Sequence, residues 1–291
     1  MNPLASALNN ALQDTPLDRL LSDLGRRMYF PKGIVAQSAE AKEKATRWNA
    51  TVGMAYEHGE PMTLGVIKEM LPGLSTADSV AYAPTGGVKK LRERWKREMV
   101  QKNPSMAGAR TSLPMVVPGL TPGILVTADL FFDPGDSVVI PDLFWGNYRL
   151  IIEERRQAKI RTFPFFDDES KFNREGFRDA VSSQAQNGKV AVLLNFPNNP
   201  AGYSPTRDDA EFVRKTLAEV AESAPTLAIL DDAYFGLFYD ADTYSESLFA
   251  PLSHLHANLV AVKVDGATKE DFVWGFRVGF VTVAGLGLTE E

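Results

Sequence analysis

Short apolar runs alternate with amphipathic segments along most of this chain. The apolar runs cover residues 137–140, 190–194, 227–230, 259–262 and 279–283. Runs of this length without a polar alternation are typical of strands that are buried on both faces. Their alternation with helices predicts a layered α/β domain built around a largely parallel sheet.

Two segments have the apolar spacing of surface helices. In the first, the apolar face consists of Val88, Leu91, Trp95 and Met99, and basic residues occupy the other faces. In the second, the face consists of Val213, Leu217 and Val220. Thr206 is the predicted N-cap of the second helix, because acidic residues follow it in what would be the first turn.

The first sixty residues have a different character. Two short amphipathic stretches precede Tyr29-Phe-Pro-Lys-Gly33 and a helix candidate rich in Ala, Glu and Lys at 39–49. We expect residues 1–60 to form an N-terminal arm and part of a small α+β domain, and residues 61–291 to form the large domain. A length of 291 residues agrees with about two domains.

The amino-acid composition excludes several classes of function. The chain has 31 Lys and Arg against 37 Asp and Glu and a net charge of −6, so it lacks the positive field that attracts nucleic acids. It contains no Cys, which excludes disulfides, thiolate catalysis and Cys-ligated zinc. Pro, Gly and Asp interrupt the longest apolar stretch, 113–132, and no secretory signal is visible. We expect a cytoplasmic protein without nucleic-acid or membrane partners.

Polar segments follow three of the predicted strands. They are Asn195-Phe-Pro-Asn-Asn-Pro-Ala-Gly202, Asp231-Asp-Ala-Tyr234 and Asp265-Gly-Ala-Thr-Lys269. Ligands of open α/β sheets gather at the carboxyl ends of the strands. These segments are therefore candidates for a binding site.

Lys269 precedes Arg277 by eight residues, across a Gly-containing turn that enters the next strand. One interpretation is a solvated Lys in an ordinary loop. The other is that the Lys269 amine forms a Schiff base with an aldehyde cofactor, while the Arg277 guanidinium binds the cofactor's phosphate.

Asp231 ends an apolar strand, where a carboxylate is costly to bury without a cationic partner. It either caps the next helix or pairs with the pyridinium N–H of a cofactor ring. Tyr234 and Asn199 have the same two interpretations: ordinary half-buried or turn residues, or hydrogen-bond partners of a phenolate oxygen on that ring.

Two further segments follow strands. Trp145 is either a core residue or a platform for a cofactor ring. The segment Gly119-Leu-Thr-Pro-Gly123 is either an ordinary strand-to-helix turn or the start of a helix whose backbone N–H groups face a phosphate.

In order and residue type, these segments resemble the fold-type I pyridoxal phosphate enzymes, specifically the class I/II aminotransferases of the aspartate aminotransferase superfamily. Four family motifs occur in sequence, as Asn199-Pro-Ala-Gly202, Asp231-Asp-Ala-Tyr234, Gly266-Ala-Thr-Lys269 and Gly275-Phe-Arg-Val-Gly279. The resemblance runs from about Tyr29 to Val283. It implies a large domain with a mostly parallel mixed sheet between helices.

The resemblance also implies roles. Lys269, Asp231 and Tyr234 would be catalytic, with Lys269 holding pyridoxal 5'-phosphate as a Schiff base and acting as general acid and base. The implied cofactor contacts are Gly119, Leu120, Thr121, Trp145, Asn199, Asp231, Tyr234, Thr268, Lys269 and Arg277, with Tyr82 from the neighbouring subunit. The implied substrate contacts are Gly53, Trp145 and Asn199. Because two chains would enclose the cofactor, we expect a homodimer.

Three departures from the family pattern stand out. Gly266 replaces a Ser that touches the phosphate, and Ala201 replaces the usual Thr. The chain also stops at Glu291, soon after Arg277, whereas family members continue for on the order of a hundred residues. We therefore expect the sequence to be part of a longer protein, with the Arg that binds the substrate α-carboxylate in the remainder.

The function implied is the transfer of an amino group between an amino acid and a 2-oxo acid. Two alternatives stay open: a pyridoxal phosphate-dependent lyase or synthase on the same fold, or a cofactor-binding but inactive remnant. No metal site is expected, because His254 and His256 have no partners at a ligand spacing.

Overall fold

The computed structural model of this chain describes residues 1–29, 34–47, 49, 51 and 53–286. Of the segments discussed above, Phe30-Pro-Lys-Gly33, Trp48 within 39–49 and the end of the chain lie outside the described residues.

A mixed seven-stranded sheet forms the centre of the fold. A short hairpin of β1 (Tyr56–Glu57) and β2 (Glu60–Pro61) precedes it in the chain. The sheet strands are β3 (Met115–Val117), β4 (Ser137–Pro141), β5 (Lys159–Phe163), β6 (Val190–Asn195), β7 (Thr226–Asp231), β8 (Leu259–Asp265) and β9 (Gly279–Ala284). Their order is β3-β9-β8-β7-β6-β4-β5. Strands β4 to β8 are parallel to one another, which confirms the mostly parallel sheet. The five predicted strands are confirmed as β4, β6, β7, β8 and β9.

Helices precede the sheet and cover both of its faces. They are α1 (Pro3–Leu12), α2 (Pro16–Leu20), α3 (Asp23–Arg27), α4 (Ile34–Lys44), α5 (Gly65–Met70), α6 (Thr76–Val80), α7 (Lys89–Lys102), α8 (Leu120–Phe131), α9 (Arg174–Ala185), α10 (Arg207–Ser223) and α11 (Phe249–Leu252). A π-helical segment, Arg149–Arg155, lies between β4 and β5. Short 3-10 turns occur at Leu71–Gly73, Pro104–Met106 and Trp274–Phe276.

Two hydrophobic cores lie on opposite faces of the sheet. One includes Phe177 of α9, Leu217 of α10 and Phe249 of α11. The other includes Ile124 of α8 and Ile152 of the π-helical segment. Strands β6 and β7 are buried along their whole length between these cores, as their continuous apolar runs predict. Burial of each large apolar side chain contributes about 1.5–3 kcal/mol.

The prediction of an apolar face is confirmed fully for α10 and only in part for α7. In α10, Val213, Leu217 and Val220 are buried and Thr206 is the N-cap, as predicted. Thr206 also forms a capping box with Asp209. In α7 the predicted apolar face is only half correct. Its C-terminal half contributes the buried Met99 and the partly buried Trp95. The N-terminal half is exposed: Val88 precedes the helix, and Leu91 is 41% exposed.

The N-terminal region contains more short elements than predicted. Helix α4 ends at Lys44 rather than continuing to Asn49, and the predicted start at Ala39 lies inside it. Beyond the hairpin, almost every residue between 56 and 85 is exposed. The predicted boundary between residues 60 and 61 stays a prediction. Within the described part of the chain, no helix combines the length and apolarity needed to cross a bilayer.

The sheet brings several loops to one edge. Asn195, the last residue of β6, pairs in register with Asp231, the last residue of β7, and Asp231 pairs with Val264 of β8. Strand β9 runs antiparallel to β8, so its first residues lie at the same edge as the carboxyl ends of the parallel strands. Loops that leave β6, β7 and β8 therefore meet the loop that enters β9.

Candidate active site

A cleft opens at this edge of the sheet, beside the first turn of α8. Nine of the predicted site residues line it: Leu120, Thr121, Trp145, Asn199, Asp231, Tyr234, Thr268, Lys269 and Arg277. Ile124, Asn195, Ala233 and Trp274 complete the wall. Clefts at the carboxyl ends of parallel strands are the usual ligand sites of open α/β sheets.

Asp231 is buried at the base of the cleft, with 4% of its surface exposed. The Tyr148 hydroxyl donates a hydrogen bond to its Oδ2 atom, and the Ala233 N–H donates to Oδ1 at 3.2 Å. Burial is the main cause that raises the pKa of Asp231 to about 6, although the Tyr148 hydrogen bond lowers it. No ion pair between described residues includes this carboxyl group. It is therefore placed to receive a cationic or N–H group from a ligand.

Lys269 extends from the loop after β8 into the same cleft. Its Nζ atom donates to the Gly53 carbonyl oxygen at 3.3 Å and lies 5.1 Å from the centre of the Tyr234 ring. Burial lowers the pKa of the Lys269 amine, and the nearby Arg277 charge lowers it further. A lower pKa increases the neutral fraction of an amine, and the neutral amine is the form that attacks an aldehyde.

Tyr234 and Asn199 lie on the loops that follow β7 and β6. The Asn199 side-chain amide donates to the Tyr234 hydroxyl at 3.5 Å, and its backbone N–H donates to Asn195 Oδ1 at 2.8 Å. Burial, followed by the charge of Asp231, raises the pKa of Tyr234. The hydroxyl therefore stays protonated and can donate to an oxygen in the cleft.

The opposite end of the cleft suits an anion. Gly119 is the N-cap of the twelve-residue helix α8, whose first N–H groups have no intrahelical partners. It has a φ of +106°, and a Cβ atom there would lie 2.7 Å from Nη2 of Arg277. The positive φ favours Gly, and a side chain there would displace the Arg277 guanidinium. The close approach places a guanidinium beside the start of α8, where both would attract a phosphate.

The absence of a side chain at Gly266 has a steric explanation. A Cβ atom there would lie 2.9 Å from the Val278 carbonyl oxygen, which belongs to the backbone and cannot rotate away. The family's Ser therefore does not fit this loop. Thr268 is the hydroxyl residue that lines the cleft nearby, and its Oγ1 atom is 3.4 Å from the same carbonyl.

Comparison with known proteins identifies the family. The sequence model of the family described as "Aminotransferase class I and II" matches residues 54–285, which is most of the chain. The chain belongs to this family.

Curated and solved members of the aminotransferase family agree with this assignment. The aspartate aminotransferase of Geobacillus stearothermophilus is 24% identical over 261 residues, covering 86% of this chain and 60% of that protein. A crystal structure of an aminotransferase from Anaerococcus prevotii superimposes with a TM-score of 0.77 at 26% identity, covering 89% of this chain and 66% of that one. The aspartate aminotransferase from Thermus thermophilus with maleate has a TM-score of 0.70 at 20% identity and covers 91% and 64%. The chain thus spans less than two thirds of these relatives.

Pyridoxal phosphate, the cofactor of aminotransferases in this family, suits the groups around the cleft. A buried carboxylate of raised pKa can accept the ring N–H, and an amine of lowered pKa can form the covalent bond. A helix N-terminus with an Arg can bind the phosphate.

Three of the predicted site residues do not line the cleft wall. Gly119 lies beside it, against Arg277, and Gly53 reaches it through the carbonyl that accepts from Lys269. Tyr82 is fully exposed. Its predicted contact is with a neighbouring subunit, so its role stays a prediction.

The sequence patterns predicted no role for several residues that the fold brings to the cleft. Asn195 orients the loop of Asn199 and also donates to the Asp231 backbone oxygen at 2.7 Å. Tyr148 packs edge-on against Trp145, with the ring centres 5.5 Å apart, and holds Asp231. Asn195 could have been predicted as a site residue, because it ends β6 just as Asp231 ends β7. In the described part of the chain, no cluster of His, Asp or Glu has the makings of a metal site.

Proposed function

We propose that this chain is the cofactor-binding part of a pyridoxal phosphate-dependent aminotransferase that moves an amino group between an amino acid and a 2-oxo acid. The observation that carries the proposal is the position of Asp231 and Lys269 in one cleft. A buried carboxylate and an amine of lowered pKa are the two groups that this chemistry requires of the protein.

When bound, pyridoxal phosphate serves as the electron sink that makes the Cα–H bond of an amino acid acidic. Lys269 would supply the amine that holds the cofactor, and the same amine would accept and return the Cα proton. Asp231 keeps the ring nitrogen protonated, because a buried carboxylate is stabilised by a positive partner. Tyr148 holds the carboxylate in place.

The remaining cleft residues orient the cofactor and substrate. Asn199 and Tyr234 would donate to the phenolic oxygen, and Trp145 would pack against the ring, since all three line the cleft. Thr121, Thr268, Arg277 and the backbone N–H of Leu120 would bind the phosphate, whereas the Gly119 N–H donates to the Val117 carbonyl oxygen at 2.8 Å. On the substrate side, the Gly53 carbonyl lies close to the Lys269 amine in the cofactor-free chain, at 3.3 Å. Its backbone is therefore near the point where an incoming amino acid reacts.

We further propose a homodimer in the cytoplasm, with Tyr82 reaching the neighbouring site. The exposed segment between 56 and 85 supports this assembly. It carries large apolar side chains at the surface: Tyr56, Val66, Met70, Leu71, Leu74, Val80 and Tyr82. An exposed apolar surface of this kind favours contact with another chain. Residues 1–60 would belong to the arm and small domain of each subunit.

Borohydride trapping tests the covalent assignment. The chain is incubated with pyridoxal phosphate, reduced with borohydride and digested for peptide mapping. We expect one pyridoxyl group, on the peptide that contains Lys269. Lys269→Ala abolishes the adduct, whereas Lys171→Ala, at a solvent-exposed Lys outside the cleft, retains it. An adduct on another residue would falsify the assignment.

Product analysis then separates the possible reactions. The loaded protein is incubated with an amino acid and a 2-oxo acid, and the new oxo acid, the new amino acid and ammonia are measured. Matched formation of both new products supports transfer. Ammonia release without an acceptor indicates a lyase, and cofactor binding without turnover indicates an inactive remnant.

A further inference from the structure

Three charged side chains are buried together behind the cleft. They are Lys263 of β8, Asp232, which follows β7, and Asp265, the last residue of β8, and none is more than 5% exposed. The Lys263 Nζ atom forms an ion pair with Asp232 Oδ2 and lies 3.2 Å from Asp265 Oδ2. We call these three residues the buried charge cluster.

The buried charge cluster lies on the opposite face of the sheet from Asp231. Val262 and Val264, the neighbours of Lys263, both belong to the core on the α8 face. Because successive side chains of a strand point to opposite faces, Lys263 faces the α10 side. Asp231 points toward the α8 face, where it contacts Tyr148. The cluster therefore does not touch the proposed cofactor position.

The cluster does connect the two chain segments that carry the proposed catalytic groups. Asp232 follows Asp231 directly and begins the turn to Tyr234. Asp265 begins the loop that ends at Lys269. Because the Lys263 ammonium contacts both carboxylates, it ties the start of one segment to the start of the other.

Helix α7 and a neighbouring loop complete the hydrogen bonds of the cluster. Trp95 of α7 donates from Nε1 to Asp265 Oδ1 at 3.0 Å. The Ser247 hydroxyl donates to Asp232 Oδ2 at 2.5 Å, and the Ser247 N–H donates to the side chain of Asn103, just after α7, at 2.7 Å. The cluster is thus anchored to a long helix at two points.

Stability alone does not account for this arrangement. Burying three charges costs a large desolvation free energy, and well-packed apolar side chains of similar size are often as stable or more so. What a satisfied buried network provides is a defined geometry. We propose that the buried charge cluster is a positioning unit that fixes the Asp231 and Lys269 segments relative to each other for cofactor binding. The link to the cofactor rests on the proposed function.

Lys263→Met is too severe to test the positioning role, because it would leave two carboxyl groups buried without a cation and is expected to prevent folding. Two milder variants are suitable. Asp265→Asn keeps the size of the side chain and leaves Lys263 paired with Asp232. Trp95→Phe removes the N–H donor but keeps an aromatic ring against Phe280, on which Trp95 stacks at 4.2 Å.

Gln184→Met provides the matched control. Gln184 is 5% exposed, donates to the Ser137 carbonyl oxygen at 2.5 Å and accepts from the Ala191 N–H at 3.0 Å. Ser137 and Ala191 lie at the beginnings of β4 and β6, so the control removes buried hydrogen bonds at the far edge of the sheet. It is expected to lower the thermal midpoint without changing the cleft.

Two measurements are made on each variant: amide hydrogen exchange of the chain without cofactor, and the Kd for pyridoxal phosphate. We expect Asp265→Asn and Trp95→Phe to speed exchange in both 231–235 and 265–270, although each touches only the second segment directly. We expect the Kd to rise roughly tenfold, the equivalent of one charged hydrogen bond. Gln184→Met should leave both quantities at wild-type values.

The outcomes separate this inference from the proposed function. Exchange that accelerates only in 265–270, or a Kd equal to that of the control, overturns the positioning role. If the wild-type chain binds no pyridoxal phosphate, the proposed function fails. The exchange experiment alone then decides whether the cluster couples the two segments.

Discussion

The hydroxyl group of Tyr148 donates a hydrogen bond to Oδ2 of Asp231, and both side chains are buried. The Asp231 carboxylate therefore has one oxygen committed to a neutral donor. Burial raises the pKa of Asp231 and the hydrogen bond lowers it, so the contact keeps the carboxylate ionised at a lower pH than burial alone would allow.

Tyr148→Phe is expected to raise the pKa of Asp231 further and to weaken its hold on the cofactor ring. We expect kcat/KM to fall about tenfold to a hundredfold and the acidic limb of its pH profile to move upward. The measurement is kcat/KM against pH. Tyr203→Phe is the matched control, because it removes a 2.6 Å hydrogen bond to Asp209 outside the cleft. Equal losses in both variants would refute a specific role for Tyr148.

Asp231 should destabilise the cofactor-free chain. Its pKa is raised from 3.8 to about 6, so the folded state binds more protons than the unfolded state between these values. Stability therefore falls as the pH rises through this window, by about 3 kcal/mol in total at about 1.36 kcal/mol per pKa unit. Asp231→Asn should remove this dependence and raise the thermal midpoint at neutral pH, measured by thermal unfolding without cofactor.

The same Asp231→Asn variant should bind pyridoxal phosphate more weakly and lose turnover, because a neutral amide does not stabilise a charged ring nitrogen. A gain in stability together with a loss of binding is the pattern expected of a functional group. Unchanged stability between pH 4 and 7 in wild type and variant alike would contradict the raised pKa.

Gly119→Ala should impair phosphate binding. The new Cβ atom would lie 2.7 Å from Arg277 Nη2 and displace the guanidinium. We expect the Kd for pyridoxal phosphate to rise at least tenfold, in addition to a backbone cost of about 1–2 kcal/mol for a residue of positive φ. Gly135→Ala is the control, since Gly135 has a φ of +94° and nothing within 4 Å of its would-be Cβ. It should show the stability loss alone.

Gly266→Ser restores the residue that is common in the family but should not improve phosphate binding. Its Cβ atom would meet the Val278 carbonyl oxygen at 2.9 Å, so the loop between β8 and β9 must shift. We expect a loss of about 1–3 kcal/mol in the free energy of unfolding, measured by denaturant titration. Gly275→Ser, which meets nothing within 4 Å, should be close to neutral. A tighter Kd in Gly266→Ser would show that the loop adapts to the hydroxyl group.

The buried strands could be predicted from the sequence because both of their faces pack on apolar cores. Strand β5 could not, because Lys159–Phe163 is an edge strand with mostly exposed or partly exposed side chains and no continuous apolar run. The predicted helix face at Val88 and Leu91 was wrong because spacing alone does not reveal where a helix emerges from the core.

The cleft was predictable to the extent that its residues directly follow strands. Asn199, Asp231 and Lys269 each stand shortly after an apolar run, so a parallel sheet brings them together. The Tyr148–Asp231 contact joins residues 83 positions apart and depends on how the segment after β4 folds back. The role of Lys263 could not be predicted, because the residues next to a single Lys in an apolar strand do not reveal which carboxylates it will pair with.

The antiparallel direction of β9 limits the sequence changes that this site can tolerate. Because β9 enters the sheet where β8 leaves it, a single short connection carries both Lys269 and Arg277. The distance between the amine proposed for covalent attachment and the guanidinium proposed for phosphate binding is thus set by one contiguous stretch of eight residues rather than by tertiary packing between distant elements. The length of that stretch must match the size of the ligand. We therefore infer that insertions and deletions are tolerated less well there than in almost any other surface segment.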